Sequence, residues 1–118
     1  MLNDASGFKH VYVACGYTDL RKGIDSLAAI VMNNFKLDPF EEGNIFLFCG
    51  RRTDRIKALT YEGDGFLLMT KRLVEGNYQW PRDAQEAREL SAREFRWLME
   101  GLSTKQKKVI SQVKLGVI

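Results

Sequence analysis

The segment Asn44-Ile45-Phe46-Leu47-Phe48-Cys49 constrains this chain more than any other. Its apolar side chains occupy both alternating faces, and such a strand is stable only where both faces are covered. It therefore belongs in the middle of a sheet that carries packing on each side. The next eight residues add a second constraint. Gly50-Arg51-Arg52-Thr53-Asp54-Arg55-Ile56-Lys57 packs four basic residues into seven positions and runs straight into another strand. Those charges sit on a stiff sheet corner, and a fixed cationic edge is what binding a phosphate backbone or an acidic partner surface requires.

The rest of the chain builds around that centre. Residues 10–15 read as a first strand, ended by Gly16. Thr18 suits a helix N-cap with Asp19 in the first turn. Leu20, Ile24, Leu27, Ala28, Val31 and Phe35 then share one helical face, which predicts a helix over roughly residues 19–35. Gly23 within it costs about 1 kcal/mol against alanine, a hint of close packing or a contact there. Residues 36–43 form a loop stopped by Asp38-Pro39, and residues 55–62 and 66–73 are strands joined through Gly63-Asp64-Gly65. A further hairpin at Glu75-Gly76-Asn77 leads into a short strand, Tyr78-Gln79-Trp80, closed by Pro81. The product is an antiparallel meander.

Residues 83–89 are a polar connector. Ser91 with Glu94 then forms a capping box, Leu90 with Phe95 is placed for a hydrophobic staple, and Phe95, Leu98, Met99 and Leu102 supply an apolar helix face. Residues 103–118 mix four lysines with Val109, Ile110, Val113, Leu115 and Val117. A short amphipathic helix, an edge strand and a disordered tail all remain open for that stretch. The expected architecture is α+β: a mostly antiparallel sheet of four or five strands. A long helix in the N-terminal half packs on one face, and the Ser91 helix closes the other side or an end. Residues 1–102 make a single domain and residues 103–118 a basic C-terminal tail.

At 118 residues the chain is long enough to bury one normal core, and 45% hydrophobic with 28% charged residues is an ordinary globular balance. Its longest apolar run, about five or six residues, is far short of the roughly 20 a membrane helix needs. The first residues lack the pattern of a secretory signal, so the cytoplasm is expected. Cys15 and Cys49 each sit in an apolar strand and read as reduced, buried small side chains. The net charge is +3, but it is unevenly spread: residues 1–50 carry −2, 51–72 carry +3, 73–102 carry −2 and 103–118 carry +4. Localised cationic patches on a mildly acidic body suggest a contact surface.

Arg51, Arg52, Arg55 and Lys57 are the first candidates for that surface. In a strand over residues 55–61, Arg55, Lys57, Leu59 and Tyr61 share one face, and Lys71 on the next strand adds to the cationic side. The competing explanation is a solvated sheet edge whose charges deter aggregation. The dominance of arginine favours binding, because the planar guanidinium fork suits phosphates and base edges. Arg21 and Lys22 form a second candidate patch, set early in a predicted helix where the dipole disfavours cations. Tyr61, Phe66, Tyr78 and Trp80 cluster around the meander. They fill the core or cover a sheet face, or else offer stacking surfaces of the kind single-strand binders use.

Signals for catalysis are weak. His10, the lone histidine, sits in the first strand and reads as structural. Asp19, Asp54 and Asp64 are the carboxylates a metal-dependent nuclease would have to gather. However, Asp54 is flanked by arginines and Asp64 by turn glycines. The sequence carries no P-loop, dinucleotide fingerprint, zinc spacing or nucleophile elbow. No catalytic residue, metal or cofactor is expected.

Four stretches carry a family resemblance. They are residues 12–25 (YVACGYTDLRKGID), residues 46–57 (FLFCGRRTDRIK), Gly63-Asp64-Gly65-Phe66, and Lys71-Arg72-Leu73 through Tyr78-Gln79-Trp80-Pro81. In order and spacing they closely resemble the Orf2-like (TnpB) accessory proteins of the insertion-sequence-66 family of bacterial mobile elements, over about residues 8–102. These are distinct from the RNA-guided nuclease that shares the name. Tyr17 stands where the family usually has proline, Gly50 where asparagine is common, and Tyr61 near a position often tryptophan. The resemblance implies a small protein encoded beside a separate transposase and assisting transposition. It supplies a process but no mechanism. The motif residues it carries over are Asp19, Arg21, Lys22, Gly23, Arg51, Arg52, Asp54, Arg55, Ile56 and Lys57.

Together these readings lead to a non-enzymatic accessory factor that contacts DNA through Arg21, Lys22, Arg51, Arg52, Arg55, Lys57 and Lys71. The alternative is an adaptor that docks the same arginines on an acidic surface of the transposase.

Overall fold

The computed structural model of the chain describes residues 2, 3 and 6–105, so most of the basic tail lies outside the described residues. Its seven elements are, in chain order, β1 (His10–Ala14), α1 (Ile24–Asn33), β2 (Asn44–Cys49), β3 (Arg55–Tyr61), β4 (Phe66–Arg72), β5 (Ala87–Leu90) and α2 (Ala92–Met99). The strands make one mixed sheet in the order β4-β3-β2-β1-β5. β2, β3 and β4 are an antiparallel meander, β5 is antiparallel to β1, and β1 is parallel to β2. The parallel pair requires a crossover, and α1 provides it.

Every residue of β2 is buried, as its two-faced apolar pattern demands. On one side of the sheet Phe46 and Phe48 pack with Leu59, Leu27, Ala28 and Val31, beneath α1. On the other, Ile45, Leu47 and Cys49 pack with Val11, Val13, Ile56, Phe95 and Leu98, beneath α2. Both cysteines are free thiols inside the second cluster. Burial raises both thiol pKa values.

The helix of the N-terminal half is ten residues, shorter than its apolar periodicity suggests, and its N-cap is Gly23 rather than Thr18. Two competing sets of hydrogen bonds displace its start. The Thr18 N–H is given to the Cys49 carbonyl at 2.9 Å, tying the chain to the end of β2. The Asp19 carboxylate accepts the Arg21 N–H at 3.0 Å, an Asx turn that offers the backbone an alternative to helix. Leu20 and Phe35 still pack on the same cluster as the helix, from outside it.

The last strand also differs from expectation. Tyr78 and Trp80 are buried beneath the sheet but belong to no strand. The Trp80 Nε1–H donates to the Ala14 carbonyl at 2.9 Å, and the Tyr78 N–H donates to the Thr53 carbonyl at 2.7 Å. The edge position beside β1 is taken instead by Ala87–Leu90, which begins inside the segment that reads as a polar connector and ends on Leu90. Its core-facing positions, opposite Val13 and Val11, carry Arg88 and Leu90, so a charged residue breaks the apolar alternation that would mark a strand. The Ser91 capping box forms in full, with Oγ accepting the Glu94 N–H at 3.1 Å and the Glu94 carboxylate accepting the Ser91 N–H at 2.9 Å. Leu102 lies beyond the end of α2 and is exposed.

Candidate nucleic-acid interface

The parallel strands β1 and β2 end side by side, and the segments that leave them form the walls of an open cleft. One wall comes from residues 17–21, the other from residues 50–52, and Arg55, Lys57 and Thr70 of β3 and β4 make the floor. The volume is about 710 Å³. Sites outside the carboxyl ends of parallel strands recur in open sheets because two loops diverge there. Here the divergence leaves Arg21, Arg51, Arg52, Arg55 and Lys57 around one space. Arg21 and Arg51, distant in sequence, converge because β1 and β2 are in parallel register, Val13 opposite Leu47.

Carboxylates hold three of the arginines. Asp54 bridges Arg52 at 3.1 Å and Arg55 at 3.0 Å, and it is only 22% exposed. The Arg55 guanidinium keeps the Asp54 carboxyl below the usual carboxylate range. Asp19 pairs with Arg21 at 2.9 Å, and the hydrogen bonds from Arg21 bring its pKa down to about 2. Arg21 and Arg52 nevertheless stay open to solvent, at 92% and 72% side-chain exposure. Lys57 reaches from β3 to the Lys22 carbonyl at 3.1 Å, fastening the first loop to the floor. Arg51 has no carboxylate partner among the described residues, and its guanidinium lies 5.6 Å from the centre of the Tyr17 ring.

Two of the expected cations stand elsewhere. Lys22 borders a smaller depression with Ile30, Asn34 and Gln85 rather than the main cleft. Lys71 pairs in register with Ile56, a core residue beneath α2, so it projects from the opposite sheet face to Arg55 and Lys57. Its Nζ donates to the Asn3 carboxamide at 2.6 Å. The cation of β4 that shares the cleft face is Arg72, directly opposite Arg55. A strand's side-chain period of two makes neighbours in sequence opposites in space, and only the register chooses between them.

Sequence reasoning also missed Arg82 and Tyr17. Arg82 donates to the carbonyls of both Gly16 and Gly50, joining the ends of β1 and β2. Its guanidinium also lies 4.0 Å from the Tyr17 ring centre. Nothing in the local sequence around Pro81-Arg82 signals that clamp.

The aromatics that sequence singled out do not line the cleft. Tyr78 and Trp80 are buried beneath the α2 side of the sheet. Tyr61 packs edge-on against both Phe40 and Phe66, and Phe40 lies tilted against Phe66, at the hairpin end of β3 and β4. That same end holds Asp64, with the whole of β3 between it and Asp54. At ~3.3 Å per residue the two carboxylates are roughly 20 Å apart, so Asp19, Asp54 and Asp64 form no triad. Among the described residues, no group of three or more His, Cys, Asp or Glu side chains is placed to hold a metal ion. His10 pairs with Glu89 across β1 and β5 at 2.6 Å.

Fold and site thus define a small α+β protein with a cationic cleft beside its parallel strands. The chain belongs to the family described as IS66 Orf2 like protein, which it matches over residues 9–109. Membership implies an accessory role in the transposition of insertion-sequence-66 elements. The chain is similar to the uncharacterized protein y4hO of Sinorhizobium fredii, 38% identical over 92 residues, covering 78% of this chain and 79% of that protein. It is likewise similar to the uncharacterized protein y4jC of the same organism, 33% identical over 102 residues and 86% of each chain. No solved structure matches the chain significantly. Among the described residues no helix is long and apolar enough to cross a membrane.

Proposed function

We propose that this protein is a non-enzymatic accessory factor of transposition that binds DNA through the cleft beside β1 and β2. One observation carries the reading: Arg21, Arg51, Arg52, Arg55 and Lys57, from three separate segments, converge on one open space. The nearby carboxylates do not cancel that charge. Asp19 and Asp54 instead orient guanidinium groups that remain solvent-facing, the state in which arginine forks meet phosphate oxygens. Each phosphate contact made by such a group releases counterions and steepens the salt dependence of binding.

The test is fluorescence anisotropy with labelled DNA across a salt series. Arg51→Ala, Arg52→Ala and Arg55→Ala are each expected to flatten the slope of log K against log salt by about one unit. A triple variant that binds like wild type overturns the reading. Should the protein bind no DNA at low salt yet co-purify with the transposase after nuclease treatment, the arginines serve an acidic protein surface instead.

A further inference from the structure

Tyr17 has no role in the core. It is 58% exposed at the rim of the cleft, whereas Tyr78 and Trp80 are almost wholly buried. It is nevertheless a fixed group. Arg82 lies 4.0 Å from the ring centre, close enough to cover one ring face, and its own N–H donors are committed to the Gly16 and Gly50 carbonyls. Carbonyls, guanidinium and phenol ring therefore form a short ordered stack anchored on the ends of two strands. Arg51, the cleft arginine without a carboxylate partner among the described residues, stands 5.6 Å from the same ring centre.

An anchored, solvent-exposed aromatic with an arginine that no carboxylate neutralises is the pairing that single-stranded nucleic acid uses, the base stacking on the ring and the backbone meeting the cation. Bases in a duplex are already stacked and paired, so their faces cannot reach a platform of this kind. The cleft, at about 710 Å³, falls within the size range of sites that take a small ligand. We propose that Tyr17 is a stacking platform for an unpaired base and that the cleft takes single-stranded DNA in preference to duplex. This rests on the nucleic-acid reading above and adds to it the strand state of the ligand.

The experiment compares a labelled mixed-sequence single strand, the same strand carrying an abasic site at each position in turn, and the matching duplex. Wild type, Tyr17→Phe and Tyr17→Ala are measured at one salt concentration, with thermal melts to verify folding. Wild type is expected to favour the single strand about tenfold or more, and Tyr17→Ala to lose that margin while Tyr17→Phe keeps it. An abasic site at one position should mimic Tyr17→Ala, and Tyr17→Ala should weaken single-strand binding far more than duplex binding. Equal binding of single strand and duplex by wild type, or a single-strand affinity unchanged by Tyr17→Ala, overturns the proposal while leaving the cationic cleft as a DNA site. Failure of wild type to bind either form overturns both.

Discussion

At the scale of the residue, Asp19 and Asp54 govern how the cleft arginines stand. Each carboxylate spends its oxygens on guanidinium groups from its own loop, Asp19 on Arg21 and Asp54 on Arg52 and Arg55. For Asp19 the folded pKa, about 2, lies below the ordinary aspartate value. A depressed folded pKa means that the stabilisation is present above the unfolded value and is lost as pH falls through the folded one. Wild type should therefore lose melting temperature between about pH 4 and pH 2. Asp19→Asn should show a shallower loss over that window, read by circular dichroism melts at closely spaced pH. Some slope will persist, because Asp83 is also held at about 2, by Lys105 and Arg88. An identical pH profile in Asp19→Asn would mean that the Asp19–Arg21 pair does not persist in solution.

At the scale of the element, register decides which β4 cation shares the sheet face of the cleft. Arg72 stands opposite Arg55 and Lys71 opposite Ile56, on the other face. Arg72→Ala should flatten the salt slope of DNA binding by about one unit, and Lys71→Ala should leave it unchanged. The reverse result would place the DNA on the α2 face. Helix α2 is an element whose sequence and structure agree throughout its first turn. Removing its cap with Ser91→Ala should cost about 1 kcal/mol in chemical denaturation, with the denaturant slope preserved. By contrast, α1 shows how local side-chain chemistry overrides periodicity: the apolar spacing from Leu20 to Phe35 is helical, yet the Asx turn at Asp19 and the extended Gly23 start the helix at Ile24. The shortening matters for the site, because it frees residues 17–21 to form a cleft wall.

At the scale of the whole molecule, the sheet separates charge. The cleft cations gather at one end of β3. Asp38, Glu41, Glu42, Glu62 and Asp64 belong to the segments at its other end, around the half-exposed Phe40 ring. Glu41 accepts from the Asn44 side chain at 2.8 Å, at the start of β2, a full strand length from Arg51. A strand of this length spans roughly 20 Å, against a Debye length of about 8 Å at 0.15 M salt. Reversing Glu42 and Asp64 to lysine should therefore leave the DNA dissociation constant within about twofold at that salt, whereas Arg51→Glu should raise it about tenfold or more. Comparable effects from both ends would mean that the DNA runs along the length of the sheet.

Much of this was legible from side-chain pattern alone. Covering both faces of residues 44–49 requires packing on each side of the sheet, and the Ser91 capping box requires a helix to begin there. The crowding of arginines after Cys49 marks the corner that becomes the cleft. These conclusions rest on interactions within a few residues, which a linear sequence records directly. Which cations share a face, and which distant residues complete the site, was decided by tertiary structure. The parallel register of β1 and β2 brings Arg21 to Arg51, the β3–β4 register selects Arg72 over Lys71, and the fold carries Arg82 back to the carbonyls of Gly16 and Gly50. Such contacts join residues tens of positions apart, and no local preference encodes them. They exist because burying both faces of β2 leaves only certain strand orders open, and the order adopted sets the neighbours.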